Sequence, residues 1–315
     1  MNRITLVATA AVIVATLCPA SWGQGARRLT GNVREGVDEH NDALNQEMNN
    51  GMTGTNANQT RQMQQQLQQQ QPVTEELKTG WLTRKSRDGK DVRLYFAYPG
   101  NLTKAKRAPG LLVVQEWWGV NEDIQERTRE FANKGFYAVA PDLYYGKSTD
   151  DPAEAAKLRQ AMTDAVALTA MKTGMDLLQE EVRNGVVDAM HTGAIGWCMG
   201  GQEALLLAIA DSRVKATAIF YGPLVTDAAQ LKSVQGPVLG VFGNDDKGPS
   251  PADVEKFKAA LKEAGKTDVT ILQYDGVGHA FASKAAAKMG LYNEAKAGEA
   301  WSKTWAWLDA KLPRK

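Results

Sequence analysis

Gly196-Trp197-Cys198-Met199-Gly200 has the frame Gly-x-nucleophile-x-Gly, with cysteine where serine is commoner. The apolar run Thr192-Gly193-Ala194-Ile195 leads into it. A run that reads as helix, Gln202-Glu203-Ala204-Leu205-Leu206-Leu207-Ala208-Ile209, leads out. Strand, sharp turn and helix in that order make a nucleophile elbow, whose central side chain stands out over a sheet edge. The two glycines have a steric purpose: in so tight a turn a Cβ at either place collides with neighbouring backbone. The residue between them is held in a strained conformation.

On both sides of the elbow, short apolar runs alternate with helical ones. Upstream, Trp81-Leu82-Thr83 and Val92-Arg93-Leu94-Tyr95-Phe96 flank the turn pair Asp88-Gly89, a hairpin pattern. Gly110–Val114 and Phe136–Ala140 read as buried strands, the second stopped by Pro141. Between them Asn121–Lys134 reads as helix with Ile124 and Phe131 on one face, and further helices span Pro152–Met162 and Ala165–Arg183. Downstream, strands are expected at Val214–Tyr221, Pro237–Phe242 and Val269–Tyr274, with a helix at Ala252–Ala264. Trp301, Trp305, Leu308 and Leu312 form the apolar stripe of a last helix. This alternation predicts an α/β domain: a mostly parallel sheet with helices on both faces.

The 315-residue chain has a formal net charge of +1 and 43 % hydrophobic residues, so it has neither a nucleic-acid footprint nor an acidic tail. Residues 1–23 read as a secretory signal, with Arg3 before an apolar run from Leu6 to Leu17 and small residues Ser21 and Gly23 near a cleavage point. The run is too short for a membrane span, so no stable insertion is expected after cleavage. Residues 24–75 are rich in Asn and Gln and lack aromatic residues after Trp22, which reads as a disordered linker. Residues 76–315 form the folded domain, expected to be monomeric and periplasmic or secreted. If Cys18 leaves with the signal, Cys198 is a lone thiol in an oxidising compartment. On its own a lone cysteine is most often a small buried hydrophobe; the glycine frame favours a nucleophile instead.

A thiol nucleophile needs a base, and the chain has three histidines. His40 lies in the linker and His191 just before the elbow strand, at the far end of the sheet. His279 follows the last strand, within Asp275-Gly276-Val277-Gly278-His279-Ala280-Phe281, where a loop at the strand ends can reach the elbow. The acid that orients the imidazole is expected in Gly243-Asn244-Asp245-Asp246-Lys247-Gly248, and spacing leaves Asp245 and Asp246 in competition. Nucleophile, acid and base in that chain order belong to α/β-hydrolases. The oxyanion needs two donors: the N–H of Met199, which opens a helix, and that of Trp117, after an early strand. No histidine–carboxylate cluster has metal-ligand spacing, and no cofactor is expected.

These stretches, with Gln115-Glu116-Trp117-Trp118-Gly119-Val120-Asn121 and Pro141-Asp142-Leu143-Tyr144, resemble the dienelactone hydrolase (carboxymethylenebutenolidase) family across about residues 80–312. The resemblance implies an α/β-hydrolase fold and a Cys198–His279–Asp246 triad, favouring Asp246 because Gly248, Pro251, Val254 and Phe257 fall into step. It also implies that Glu116 takes part in activating the nucleophile. Typical members grip a substrate carboxylate with arginines where this chain has Gly146 and Ser283; Lys147 and Lys284 stand nearby, without an arginine's planar fork. Trp118, Tyr144, Tyr145 and Phe281 suggest instead an aromatic pocket for an apolar or aryl ester. The expected activity is hydrolysis of a small ester or lactone through an acyl-thioester, rising with pH as His279 loses its proton. The alternatives are thioester cleavage or acyl transfer by the same residues, and a non-catalytic binding protein.

Overall fold

The computed structural model describes residues 76–314 of the chain. The signal and linker readings of residues 1–75 lie outside the described residues. The domain is built on an eight-stranded sheet in the order β1-β2-β4-β3-β5-β6-β7-β8. Strand β1 (Leu77–Lys85) and β2 (Asp91–Pro99) form the expected antiparallel hairpin, and β2 also runs antiparallel to β4 (Tyr137–Pro141). The remaining pairs, through β3 (Ala108–Val114), β5 (Val187–Trp197), β6 (Ala216–Phe220), β7 (Val238–Gly243) and β8 (Val269–Tyr274), are parallel. The strand readings differ from these bounds by a residue or two at the ends of β6 and β7, and β1 and β5 extend further than the apolar runs that announced them.

Helices cover both faces, as the alternating pattern predicts. Helix α1 (Glu122–Asn133) begins at Asn121, whose side chain accepts from the Ile124 N–H. Helices α2 (Pro152–Ala161) and α3 (Asp164–Asn184) follow β4, and α4 (Met199–Ala210) follows the elbow. A single turn, α5 (Ala228–Leu231), precedes β7. Helix α6 (Pro251–Glu263) starts with a reciprocal Ser250–Asp253 capping box and Pro in its first turn. The last helix, α7 (Glu294–Lys311), follows a 3₁₀ helix at Lys284–Met289. The short α5 and the 3₁₀ segment have too few residues to carry a periodic apolar signal, so the sequence pattern does not announce them.

Each sheet face has its own core. One joins α3, α4 and α6 to the sheet through residues such as Met175, Leu205 and Phe257. The other joins α1 and α7 through Ile124, Phe131 and Leu308. Phe131 is its aromatic hub, with ring centres 5.1 Å from Trp305, 6.1 Å from Phe136 and 6.4 Å from Trp197. Cutting Phe131 to alanine removes contacts on several sides of a site that cannot collapse onto one neighbour. We expect Phe131→Ala to cost about 3–5 kcal/mol, read from urea unfolding curves with an unchanged slope.

One placement differs from the sequence reading. His191 does not precede β5 but lies inside it. The pairing of β3 with β5 passes from Pro109↔Asp188 to Gly110↔Thr192, leaving residues 189–191 as a bulge. His191 Nδ1 sits 3.1 Å from the Asp188 carboxylate. Cys198 follows the other end of the strand, about 20 Å away at the rise of an extended chain.

Candidate active site

The parallel strands all deliver their carboxyl ends to one edge, and the chain reverses its order across the sheet between β3 and β5. Loops at such a switch point converge. Glu116 and Trp117 follow β3, Cys198 follows β5, Tyr221 follows β6, Asp246 follows β7 and His279 follows β8. Four non-glycine residues among those described have positive φ: Tyr145 (53°), Cys198 (54°), Tyr221 (38°) and Ala280 (61°). All four lie on loops at this edge, and backbone strain of this kind costs about 1–3 kcal/mol per residue.

The elbow explains its own glycines. At Cys198, φ 54° and ψ −123° turn the chain from β5 directly into α4. A Cβ on Gly196 would overlap the carbonyl of Gly200, and one on Gly200 would overlap the carbonyls of Val114 and Gln115. Cys198 N–H is held by the Phe220 carbonyl at 2.9 Å, which fixes the turn to β6. The thiol-bearing side chain remains partly exposed.

His279 Nδ1 is 2.9 Å from Asp246 Oδ2. Asp246 is buried, and its other oxygen accepts from the Gly248 N–H at 2.9 Å, so the carboxylate is fixed on both sides. Asp245, its neighbour, is exposed. Burial alone pushes the imidazolium of His279 towards losing its proton. Electrostatic interaction with Cys198, the hydrogen bond with Asp246 and the charge of Asp246 outweigh burial and hold its pKa well above the ordinary value of 6.5. The structure therefore fixes Asp246 against the His279 ring, with Cys198 close enough to influence the charge of that ring.

Two N–H groups stand free in the segments that follow β3 and β5. Met199 opens α4, where the first N–H groups have no intrahelical acceptor. Trp117 N–H donates to no acceptor among the described residues. Glu116 is 5 % exposed, and its Oε1 has no hydrogen-bond partner among the described residues. Burial raises its carboxyl above the usual range and Asp123 adds to the rise; Arg127, His279 and a hydrogen bond with Ser283 pull the other way.

The four aromatic residues read as a pocket separate into different roles. Trp118 is half-buried, 4.7 Å between ring centres from Trp117, and Tyr145 is exposed. Tyr144 is buried, its hydroxyl 3.2 Å from the sulfur of Met199, beside the nucleophile. Phe281 is a correction: it is fully buried and packs on Tyr221 and Tyr274, with ring centres 6.0 and 5.4 Å away. It supports the histidine loop from inside the core and lines no open surface. Ser283 is likewise fully buried, and its Oγ accepts from Arg127 Nη2 at 3.1 Å.

Sequence reasoning missed Tyr221 and Arg127. Tyr221 is fully buried, its ring centre is 5.3 Å from that of His279, and its hydroxyl has no partner among the described residues. Arg127 had a legible signal. It shares the apolar face of α1 with Ile124, Thr128 and Phe131, where an unpaired cation has no place, and Asp123 stands four residues before it.

A ring held in this way has a measurable signature. NMR titration of His279 should give a midpoint above the free-imidazole range, because the charged ring is favoured. Asp246→Asn removes an ionised partner, so the midpoint should fall. An unchanged midpoint would show that Asp246 does not hold the charged ring.

Comparison with known proteins places this geometry in context. The model of the dienelactone hydrolase family matches residues 95–312. A provisional carboxymethylenebutenolidase of Salmonella typhimurium is 30 % identical over 70 % of this chain and 83 % of its own length. A second, from Methylorubrum extorquens, is 33 % identical over 55 % of this chain, and the match spans 63 % of that protein. The crystal structure of a provisional dienelactone hydrolase from Klebsiella pneumoniae superposes with a TM-score of 0.64 at 28 % identity, over 74 % of this chain and 98 % of that one.

Proposed function

The chain belongs to the dienelactone hydrolase family, and we propose that it hydrolyses a carboxylic ester or lactone with Cys198 as nucleophile. The observation that carries this reading is the His279 ring, bonded to Asp246 at 2.9 Å and interacting with the Cys198 side chain on a strained turn. The thiol sulfur attacks the substrate carbonyl carbon while its proton passes to His279. The oxyanion is received by the N–H groups of Trp117 and Met199, each contributing about 3 kcal/mol to the transition state. On collapse the C–O bond breaks, and His279 returns the proton to the leaving oxygen. Water, losing a proton to the same ring, then attacks the acyl-thioester, releasing the acid and restoring the thiol. Asp246 orients the ring and favours its charged form.

Glu116 has a part in the first step. A buried carboxylate next to this cluster can take up the thiol proton when substrate arrives and hand it on to His279, so that thiolate is exposed only then. Its elevated pKa makes it a better proton acceptor than a solvated glutamate. The half-buried Trp117–Trp118 pair and exposed Tyr145 favour an apolar or aryl acyl or alcohol group. The N-terminal sequence supports export, so the reaction belongs to the periplasm or the exterior, carried out by a monomer.

The test is a panel of aryl esters, simple lactones and dienelactone, run on wild type and Cys198→Ala. The expected result is hydrolysis of aryl esters by the wild type, blocked by thiol reagents. In the variant kcat/KM should fall by about 10³-fold or more, the residue of activity coming from binding and the oxyanion donors. Equal turnover by Cys198→Ala would refute the mechanism.

A further inference from the structure

Arg127 is a charged side chain in a place where charge is expensive. It is 6 % exposed, on the core-facing side of α1. Its Nε binds Asp123 Oδ2 at 2.9 Å, one turn back along the same helix. That pair alone would not explain the arginine, because a hydrophobic residue of similar volume in such a site is often as stabilising as the ion pair. The rest of the guanidinium faces the loops of the site. Its Nη2 donates to Ser283 Oγ at 3.1 Å, four residues after His279. Its Cζ lies 4.7 Å from the ring centre of Trp197, the residue before Cys198, and 5.8 Å from that of Trp301. A single planar group thus touches the strand that ends at the nucleophile and the loop that carries the base.

Its charge also reaches Glu116. Several groups on three segments face that carboxyl: Arg127 and Asp123 on α1, His279 and Ser283 in the loop after β8, and Tyr221 after β6. Among them Arg127 is the strongest influence favouring the ionised form. Ser283 connects the two, since its Oγ accepts from Arg127 at 3.1 Å and it too favours the ionised form of Glu116.

We infer that Arg127 is a positioning residue for the proposed hydrolysis: its fork ties the loop that carries His279, through Ser283, to the strand that ends at Cys198. The inference rests on the ester or lactone reading and adds to it a residue that does not touch substrate. It predicts two separable effects. Loss of the fork disturbs the geometry of base against thiol. Loss of the charge leaves Glu116 protonated over a wider pH range.

The experiment is the pH profile of kcat/KM for an activated aryl ester, with wild type, Arg127→Met, Arg127→Lys, Glu116→Gln and the Glu116→Gln/Arg127→Met double variant. In Arg127→Met we expect about a 100-fold loss at neutral pH, the scale of a small misplacement of the reacting groups. Its acidic limb should move to higher pH, since Glu116 has lost the charge that favoured its carboxylate. In Arg127→Lys the limb should stay at its wild-type position while kcat remains at least about 10-fold down, because an ammonium lacks the planar fork. In the Glu116→Gln background Arg127→Met should produce no shift of the limb. An unshifted limb in Arg127→Met, or the same shift without Glu116, would overturn the assignment. Should circular dichroism find Arg127→Met unfolded, Arg127→Lys decides: reduced kcat with an unmoved limb supports the inference, and wild-type kcat overturns it. Cys198→Ala is run alongside. Its full activity would refute the hydrolytic reading itself, whereas an inactive Cys198→Ala beside an unshifted Arg127→Met rejects Arg127 alone.

Discussion

Between β5 and α4 the backbone folds back so closely that neither Gly196 nor Gly200 has room for a methyl group. The rest of the site is organised around that contact. Because Gly200 lies against the end of β3, the first turn of α4 packs on the place where the chain leaves β3 for Trp117. Because Cys198 N–H is tied to Phe220, the turn is also locked to β6, which delivers Tyr221 next to the histidine ring. The strain at Cys198 is sustained by this packing on both sides, as strained residues must be if they are to persist. A looser turn would leave the thiol on a mobile loop.

Electrostatics add a second layer beneath that edge. The sheet end holds two ionisable assemblies in contact. In one, Asp246 and the Cys198 thiol favour a charged His279. In the other, burial favours a neutral Glu116 while Arg127 opposes it. The two share His279, whose charge helps Glu116 to ionise.

Much of this was legible in the sequence, and for identifiable reasons. The elbow is readable because close backbone contact leaves only glycine at fixed spacing. The hairpin is readable because Gly89, with φ 82°, needs a conformation that glycine adopts freely. The helices announce themselves by stripes such as Ile124–Phe131. The choice between Asp245 and Asp246 is not a matter of spacing, since adjacent loop residues point apart and only the path of the backbone decides which is buried. Phe281 read as pocket because an aromatic residue near a histidine loop has the same appearance whether it faces solvent or core. Its packing on Tyr274, which comes from another segment, settles the matter. The His191 bulge needed the register of β3 against β5, a long-range fact. Arg127 stood in plain sight as a cation within an apolar stripe, but apart from Asp123 its partners lie on β5 and beyond β8, far off in sequence.

The aromatic layer under the elbow carries a spectroscopic consequence. Trp197 is fully buried one residue from the sulfur, with a guanidinium over its ring and Trp301 at 5.8 Å. An indole in that position senses the local electric field directly. Any step that moves charge between sulfur, imidazole and carboxylate changes the field across it, and with it the colour and yield of its ultraviolet emission. The protein therefore contains its own optical probe of the cluster around Cys198, placed there by the packing of β5 against α1 and α7.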